Sequence, residues 1–579
     1  MDTQSIHTAL MVASQKCSER CLYQSAKWLA EAFNSLPKLD PPSKPPSSYP
    51  FTTTFHPPVA PSPKEAQLEF TELPTYLLAK AYFDCREFDR CFSTLKDCKS
   101  SKSRFLCHYA RYMAGEKRKE EEMEMVLGPL DGAPTPNREI LPVINSLEAI
   151  FNQWKKEGKI GREKEEDSWL YYLHGILLAK HGNEAKAKEA FEKSIRIYPW
   201  NWGAWVELGH LIGTLEELCE EAPKLPDHLI KKIWHLQTTV ELYQSSDVVH
   251  HELTQLEITF PNMPFLKTQR ALLYYHARDF EEAEQVFDTL LKGDPHRLDA
   301  LDHYSNILYV MERRPKLAFL AQLATSTDRF RPETCCVVGN YYSLKSEHEK
   351  AVMYFRRALT LDRSFLSAWT LMGHEYVEMK NTHAAIEAYR RAVDVNRKDY
   401  RAWYGLGLSY EVLEMHYYAL FYFQRAASLR PYDAQMWQAM GSCFDHMNRP
   451  QEAIKAYKRA LVASSHTTPG ERGSFDPTTL YSIGLMYEKT DNPKEAAKYM
   501  DMCVNEDVET PATNKAKMWL ARWEFGNGNW KRAGELANEL CQDGPEIEEA
   551  KALVRDLRAR MEAYHTSPLR LNNQTLLVA

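Results

Sequence analysis

Between residues 72 and 560, large apolar residues recur three, four and seven positions apart, with polar residues filling the gaps. That spacing lines one face of an α-helix and predicts a chain built of amphipathic helices. The pattern itself repeats. Trp369, Trp403 and Trp437 stand 34 residues apart, and each opens the same string. Trp403, Leu406, Gly407 and Tyr410 are followed by Ala419, Phe423, Ala426 and Pro431. Gly339, Gly373 and Gly441 head equivalent units, with Phe355, Tyr389 and Tyr457 at the position of Phe423. Looser copies surround Gly175 and Phe191, Trp205 and Gly209, Ala271 and Phe287, and Gly484 and Ala496. Ala521 and Ala533 close the series, and Ala79 and Tyr82 mark a degenerate copy near its start.

The W-x2-L-G-x2-Y, A-x3-F-x2-A, P string resembles the tetratricopeptide repeat. A large residue in one helix faces a Gly or Ala in its partner, so two antiparallel helices approach closely, and the proline ends the second helix. One such hairpin cannot bury its apolar stripe alone, so neighbours stack. The expected fold is all-α, a tetratricopeptide superhelix of helix-turn-helix units. Breaks in the pattern divide it into an N-terminal helical segment at 1–36, with a short helix over 22–36, and a proline-rich linker at 37–63. They then set apart an N-terminal array at 64–262, a central array at 263–463, a polar insertion at 464–477, C-terminal units at 478–562 and a tail at 563–579.

Composition narrows the function classes. With 579 residues the chain exceeds what one compact core organises. The formal net charge of −7 offers no overall basic surface for nucleic acid. No run approaches the roughly 20 apolar residues of a membrane span, and the N-terminus lacks the pattern of a signal peptide. The expectation is an intracellular protein. Twelve cysteines are scattered without a C-x-x-C pair, which reads as reduced, small apolar residues rather than a zinc site.

"GHEYVEMKNTHAA" (373–385) imitates a damaged zinc-protease motif. Two histidines four apart on one helix, with a glutamate between them, are what zinc needs. Here His374 and His383 straddle the turn between two helices. No phosphate loop, nucleophile elbow or kinase motif set occurs. No catalytic residue, metal or cofactor is expected.

A tetratricopeptide array binds peptides along its first helices. The residue after the packing glycine usually faces the groove, and successive units place Asn306, Asn340, His374 and Leu408 there. Asn340 suits a backbone clamp, since an amide both donates and accepts. Asp302, Glu375, Glu378 and Glu411 are acids on first helices, and a partly desolvated carboxylate favours arginine. The Lys-and-Asn clamp of chaperone-tail binders is absent. Asp302, Cys336 and Thr370 occupy its first basic position, and Arg401 is the one basic candidate further on.

Longer strings go beyond the generic repeat: "RPETCCVVGNYYSLKSEHEKAVMYFRRAL" (331–359), "AWTLMGHEYVEMKNTHAAIEAYRRAV" (368–393) and "RKDYRAWYGLGLSYEVLEM" (397–415). With "YLLAKAYFDCREFDRC" (76–91), "ARYMAGEKRKEEE" (110–122) and "WGAWVELGHLI" (202–212), the chain closely resembles the cell-division-cycle protein 23 family, subunit 8 of the anaphase-promoting complex. The resemblance implies a non-catalytic scaffold of a multi-subunit ubiquitin ligase that drives mitotic exit. It implies a homodimer formed through N-terminal repeats, packing against other tetratricopeptide subunits, and a groove over 298–445 for a WD40-type coactivator's arginine-bearing C-box. In that family the groove uses the Asn of "GNYYSL" and the Glu of "GHEY", here Asn340 and Glu375. Two alternatives stay open: a purely architectural array with no transient ligand, and an adaptor for another complex.

Overall fold

The computed structural model describes residues 3–37, 63–122, 137–157, 166–244, 246–467, 475–506, 510–541 and 547–566. Most of the proline-rich linker, residues 468–474 of the insertion and residues 567–579 of the tail lie outside them. Every regular element among the described residues is a helix. Two compact units result, Met1–Ala368 and Trp369–Ala579.

In the first unit the repeats run as helix pairs. Pro63–Asp84 pairs with Phe88–Leu95, Ser168–Lys180 with Glu184–Ile197, Pro264–Ala277 with Phe280–Gly293, and Pro332–Leu344 with His348–Leu361. The N-terminal segment is itself a pair, Thr3–Glu19 and Tyr23–Ser35, so the short helix expected over 22–36 has a partner before it. Leu10, Trp28 and Leu29 from this pair share one apolar cluster with Trp169, Trp205, Trp234 and Phe260.

The second unit holds the pairs Tyr400–Val412 with His416–Leu429, Ala434–His446 with Pro450–Thr467, Pro477–Lys489 with Pro493–Val504, and Pro511–Gly526 with Trp530–Leu540. Ile547–Thr566 closes it. Asp399, Asp433 and Asp476 cap first helices by accepting from the backbone N–H two residues on, each cap contributing about 1 kcal/mol.

Two devices set the repeat geometry. A Cβ on Gly373 would stand 2.5 Å from the Tyr389 ring, and one on Gly405 would meet the other side of the same ring at 2.5 Å. Burying such a ring contributes about 1.5–3 kcal/mol, and only glycine admits it. The turn inside each pair closes on a left-handed residue at a 34-residue interval: Glu312, Ser346, Lys380, Glu414 and Asn448, with φ of 53° to 62°. Each turn then returns a backbone N–H to the carbonyl five residues back, as Asn381 does to Tyr376 at 2.8 Å. Between pairs, the Trp403 and Trp437 indoles donate to the carbonyls of Arg397 and Pro431, six residues earlier, at 2.9 and 2.8 Å.

Candidate peptide-binding site

In the first unit, Asp302 lies on the helix Leu301–Val310 and is 5% exposed. Ser367 Oγ donates to its carboxylate at 2.6 Å, and the His303 ring lies 3.8 Å from it. One repeat on, Asn340 is 2% exposed. Its Nδ2 donates to Ser305 Oγ at 2.8 Å and to Asn306 Oδ1 at 2.7 Å. Both amide hydrogens are therefore committed within the unit, and what Asn340 keeps for a ligand is its carbonyl oxygen. Asn306 is half-buried beside it. These residues sit together because 306 and 340 hold the same register in consecutive first helices.

In the second unit the site residues surround Tyr389. His374 follows the packing glycine, and its side chain is accessible to water. Desolvation by the surrounding protein first, and then the Arg401 guanidinium, nevertheless lower its pKa to about 4. Burial first, and then the Glu375 and Glu378 carboxylates, push the Tyr389 phenol up. The phenol therefore stays protonated and the imidazole neutral at pH 7. Across their 2.9 Å contact the hydroxyl donates to His374 Nδ1. That assignment leaves Nε2 carrying the ring proton, a donor for a ligand.

Glu375 is 5% exposed, next to the exposed His374. Glu378, one turn on, is exposed. Glu411 is half-buried and accepts from Ser442 Oγ at 3.2 Å. Leu408 is half-buried. Arg401 donates from Nε to the fully buried Asp399 at 3.1 Å, so the one basic residue at a clamp position is held by its own helix cap. His383 is exposed on the second helix of its pair. Among the described residues no group of three His, Cys, Asp or Glu could hold a metal ion, and no helix is long and apolar enough to cross a membrane.

Spacing alone did not reveal the partners that fix these residues: Ser305 under Asn340, Ser367 on Asp302, and Tyr389 on His374. A readable signal did exist for a further partner, Asn306. Asparagine recurs at 306 and 340, one repeat apart, as a ladder of amides would require.

The chain matches a family model described as anaphase promoting complex subunit 8 / Cdc23 over residues 5–271. Tetratricopeptide models match residues 332–365, 373–413 and 434–464. It is 41% identical to anaphase-promoting complex subunit 8 of Arabidopsis thaliana, with 97% of each chain covered. It is 40% identical to anaphase-promoting complex subunit CDC23 of Saccharomyces cerevisiae, over 85% of this chain and 87% of that one. Among solved structures, that of the APC/C hetero-tetramer Cut9–Hcn1 superimposes with a TM-score of 0.54 at 18% identity, covering 83% of this chain and 89% of that one, and so shares the fold. With identity at this level along nearly all of both sequences, the chain belongs to the anaphase-promoting complex subunit 8 / Cdc23 family of tetratricopeptide repeat proteins.

Proposed function

We propose that this chain is a non-catalytic tetratricopeptide scaffold of an anaphase-promoting complex, the multi-subunit ubiquitin ligase of mitotic progression and exit. Its first-helix polar residues receive an arginine-bearing coactivator segment, the C-box. It works in the nucleus and cytoplasm beside other subunits of the complex.

One observation carries the reading of the site. Glu375 places a carboxylate at 5% exposure next to the water-accessible His374. Its register mates one repeat before and after, Tyr341 and Ser409, are uncharged. A guanidinium meeting a carboxylate in such a low-dielectric position gains far more than at an open surface. Asp302 and Asn340 supply the same chemistry, acid and amide, in the first unit.

Homodimerisation through the N-terminal repeats has its own support. The helix Pro63–Asp84 leaves Phe70, Leu73 and Leu77 at 78%, 44% and 56% exposure, an apolar stripe at helical spacing.

The test is a C-box peptide titrated into the full chain and into Glu375→Arg, with circular dichroism confirming the fold. Reversing a desolvated charge should weaken binding by at least about 30-fold, roughly 2 kcal/mol. Unchanged affinity in a folded variant overturns the assignment. An array filled only by neighbouring subunits would instead capture those subunits and leave the coactivator unbound in a pull-down.

A further inference from the structure

A stacked repeat touches its immediate neighbours and nothing else, which makes repeat arrays quasi-one-dimensional. The N-terminal helix pair, Thr3–Glu19 and Tyr23–Ser35, breaks that rule. As a terminal repeat it would rest on the next pair, 63–95, alone. It does contact that pair, through Tyr76 hydroxyl to the Glu19 carbonyl and Tyr23 to Asp84. It then runs on across repeats far along the chain.

The contacts fall on the first helices of successive repeats and end on the loop that precedes Leu301–Val310. Lys102 pairs with Glu19 at 2.7 Å. The Arg20 guanidinium lies over the Trp169 ring, 4.7 Å from its centroid. Trp28 stacks on Trp202 with centroids 3.8 Å apart and planes 7° from parallel, and it meets Phe265 edge-on at 5.6 Å. At the far end Lys27 reaches Asp299 at 2.5 Å, and Glu31 lies 3.8 Å from Arg297. First helices are the surface on which tetratricopeptide arrays hold ligands. The helix pair therefore sits where a bound peptide would sit.

Its fit combines shared apolar packing with polar groups left unsatisfied. Among the described residues, three buried donors at this junction have no hydrogen-bond partner: Trp28 Nε1, Arg20 Nε and Arg297 Nε. Unpaired buried donors weaken an association. The groove is also shaped for close approach. A Cβ on Gly203 would meet Tyr172 Oη at 2.7 Å and Ser25 Oγ at 3.0 Å, so glycine there makes room for the second helix of the pair.

We propose that residues 3–36 are a non-covalent ligand of the first-helix groove of the N-terminal repeats, bound in cis, which a free copy of the same segment can replace. The groove's preferred ligand is accordingly an amphipathic helical hairpin. It presents one tryptophan to Trp202 and Phe265, and a lysine and a glutamate to Asp299 and Arg297.

The experiment uses the full chain with a protease recognition sequence placed between residues 38 and 62. After cleavage, a fluorescent peptide of residues 1–37 is added in excess, and uptake into the protein peak is followed by size exclusion. The expected result is a cleaved protein that retains its helix content and its hairpin, then exchanges that hairpin for labelled peptide. Uptake of a Trp28→Ala peptide should be at least about 10-fold weaker. Gly203→Leu in the full chain should block labelled uptake while leaving helix content near that of the parent. Three results each overturn the proposal: no uptake over days by a folded, cleaved protein; release of the hairpin without rebinding of peptide; and loss of helix content on cleavage, which would make the pair an integral part of the core.

Discussion

The repeats before residue 278 and those from 301 onward use one packing rule for different ends. In the earlier region first helices carry large apolar and aromatic groups, such as Trp169, Trp202 and Phe265, and a helix pair of the same chain lies against them. In the later region equivalent helices carry buried polar groups: Asp302 and Asn340 in one unit, Glu375 in the other. The tryptophan of the repeat motif differs in burial from repeat to repeat, with Trp369 at 3% exposure. Trp205 is fully buried and packs on Trp234, whereas Trp403 and Trp437 are half-buried; all three donate the indole N–H to a carbonyl six residues earlier. A repeat motif thus fixes which residues face one another between helices. It leaves open what the free face is for.

The largest effect that can break this comparison is at the tryptophans. Trp205→Ala empties a fully buried site and should cost about 3–5 kcal/mol. Trp403→Ala removes a half-buried ring and one hydrogen bond, and should cost about 1–2 kcal/mol. Thermal unfolding of the two variants decides it. Equal losses would mean the motif tryptophan does the same job in both regions.

Next in size is pH. His228 is buried and caps the helix Leu229–Glu241, its Nδ1 accepting from the Ile230 N–H at 3.2 Å. Burial pushes its pKa down to about 4, with Asp227 opposing. The unfolded chain titrates near 6.5. Between pH 6.5 and 4 the unfolded state therefore binds the extra proton, and the contribution of neutral His228 is fully present above 6.5 and lost as pH falls towards 4. From pH 7 to pH 5 the loss should be about 2 kcal/mol. His228→Asn keeps a capping acceptor that does not titrate, so its unfolding midpoint should vary less with pH over this range. An unchanged slope would remove His228 from the account.

The glycines sharpen the comparison at the level of single positions. Gly373→Ala drives a methyl into a Tyr389 ring that Gly405 confines from the other side, and should cost about 1–3 kcal/mol. Gly293→Ala, with nothing within 4 Å of its Cβ, should be neutral or slightly stabilising. Denaturant midpoints of the pair test whether close approach, and not glycine as such, is what the repeat requires.

The helix pairs and the packing glycines were legible in the sequence because they depend on local spacing. A glycine 16 residues before an aromatic recurs in the repeat, and it sets Gly373 against Tyr389 as it sets Gly407 against Phe423. The helix Thr3–Glu19 was not legible. Its apolar positions are small or scattered, and its partners Trp169 and Tyr198 are more than 140 residues away. At the candidate site, register identified Asn340 and Glu375, but their burial depends on rotamers and on neighbouring repeats. The amide hydrogens of Asn340 are taken by Ser305 and Asn306, which no single repeat could disclose. His374 shows the reverse case. Read as the first half of a false metal motif, it holds a hydrogen bond to Tyr389 and faces water.

The smallest effect lies in the turns, where different helix pairs solve one problem with different residues. Gly182 adopts φ 86° without steric cost, while Lys380 and Glu414 adopt φ 59° and 58° with a Cβ in the way. A side chain in the left-handed region costs roughly 1 kcal/mol, offset in part because glycine loses more freedom on folding. Lys380→Gly should therefore stabilise its turn by about 0.5 kcal/mol, and Gly182→Ala should destabilise its own by about 1 kcal/mol. Amide hydrogen exchange at Asn381 and Asn183 reads each turn separately, because both N–H groups close the five-residue return bond, to Tyr376 and to Leu178. Slower exchange at Asn381 and faster exchange at Asn183 are expected. Faster exchange at Asn381 and slower exchange at Asn183 would show that chain entropy, and not the Cβ, governs these turns.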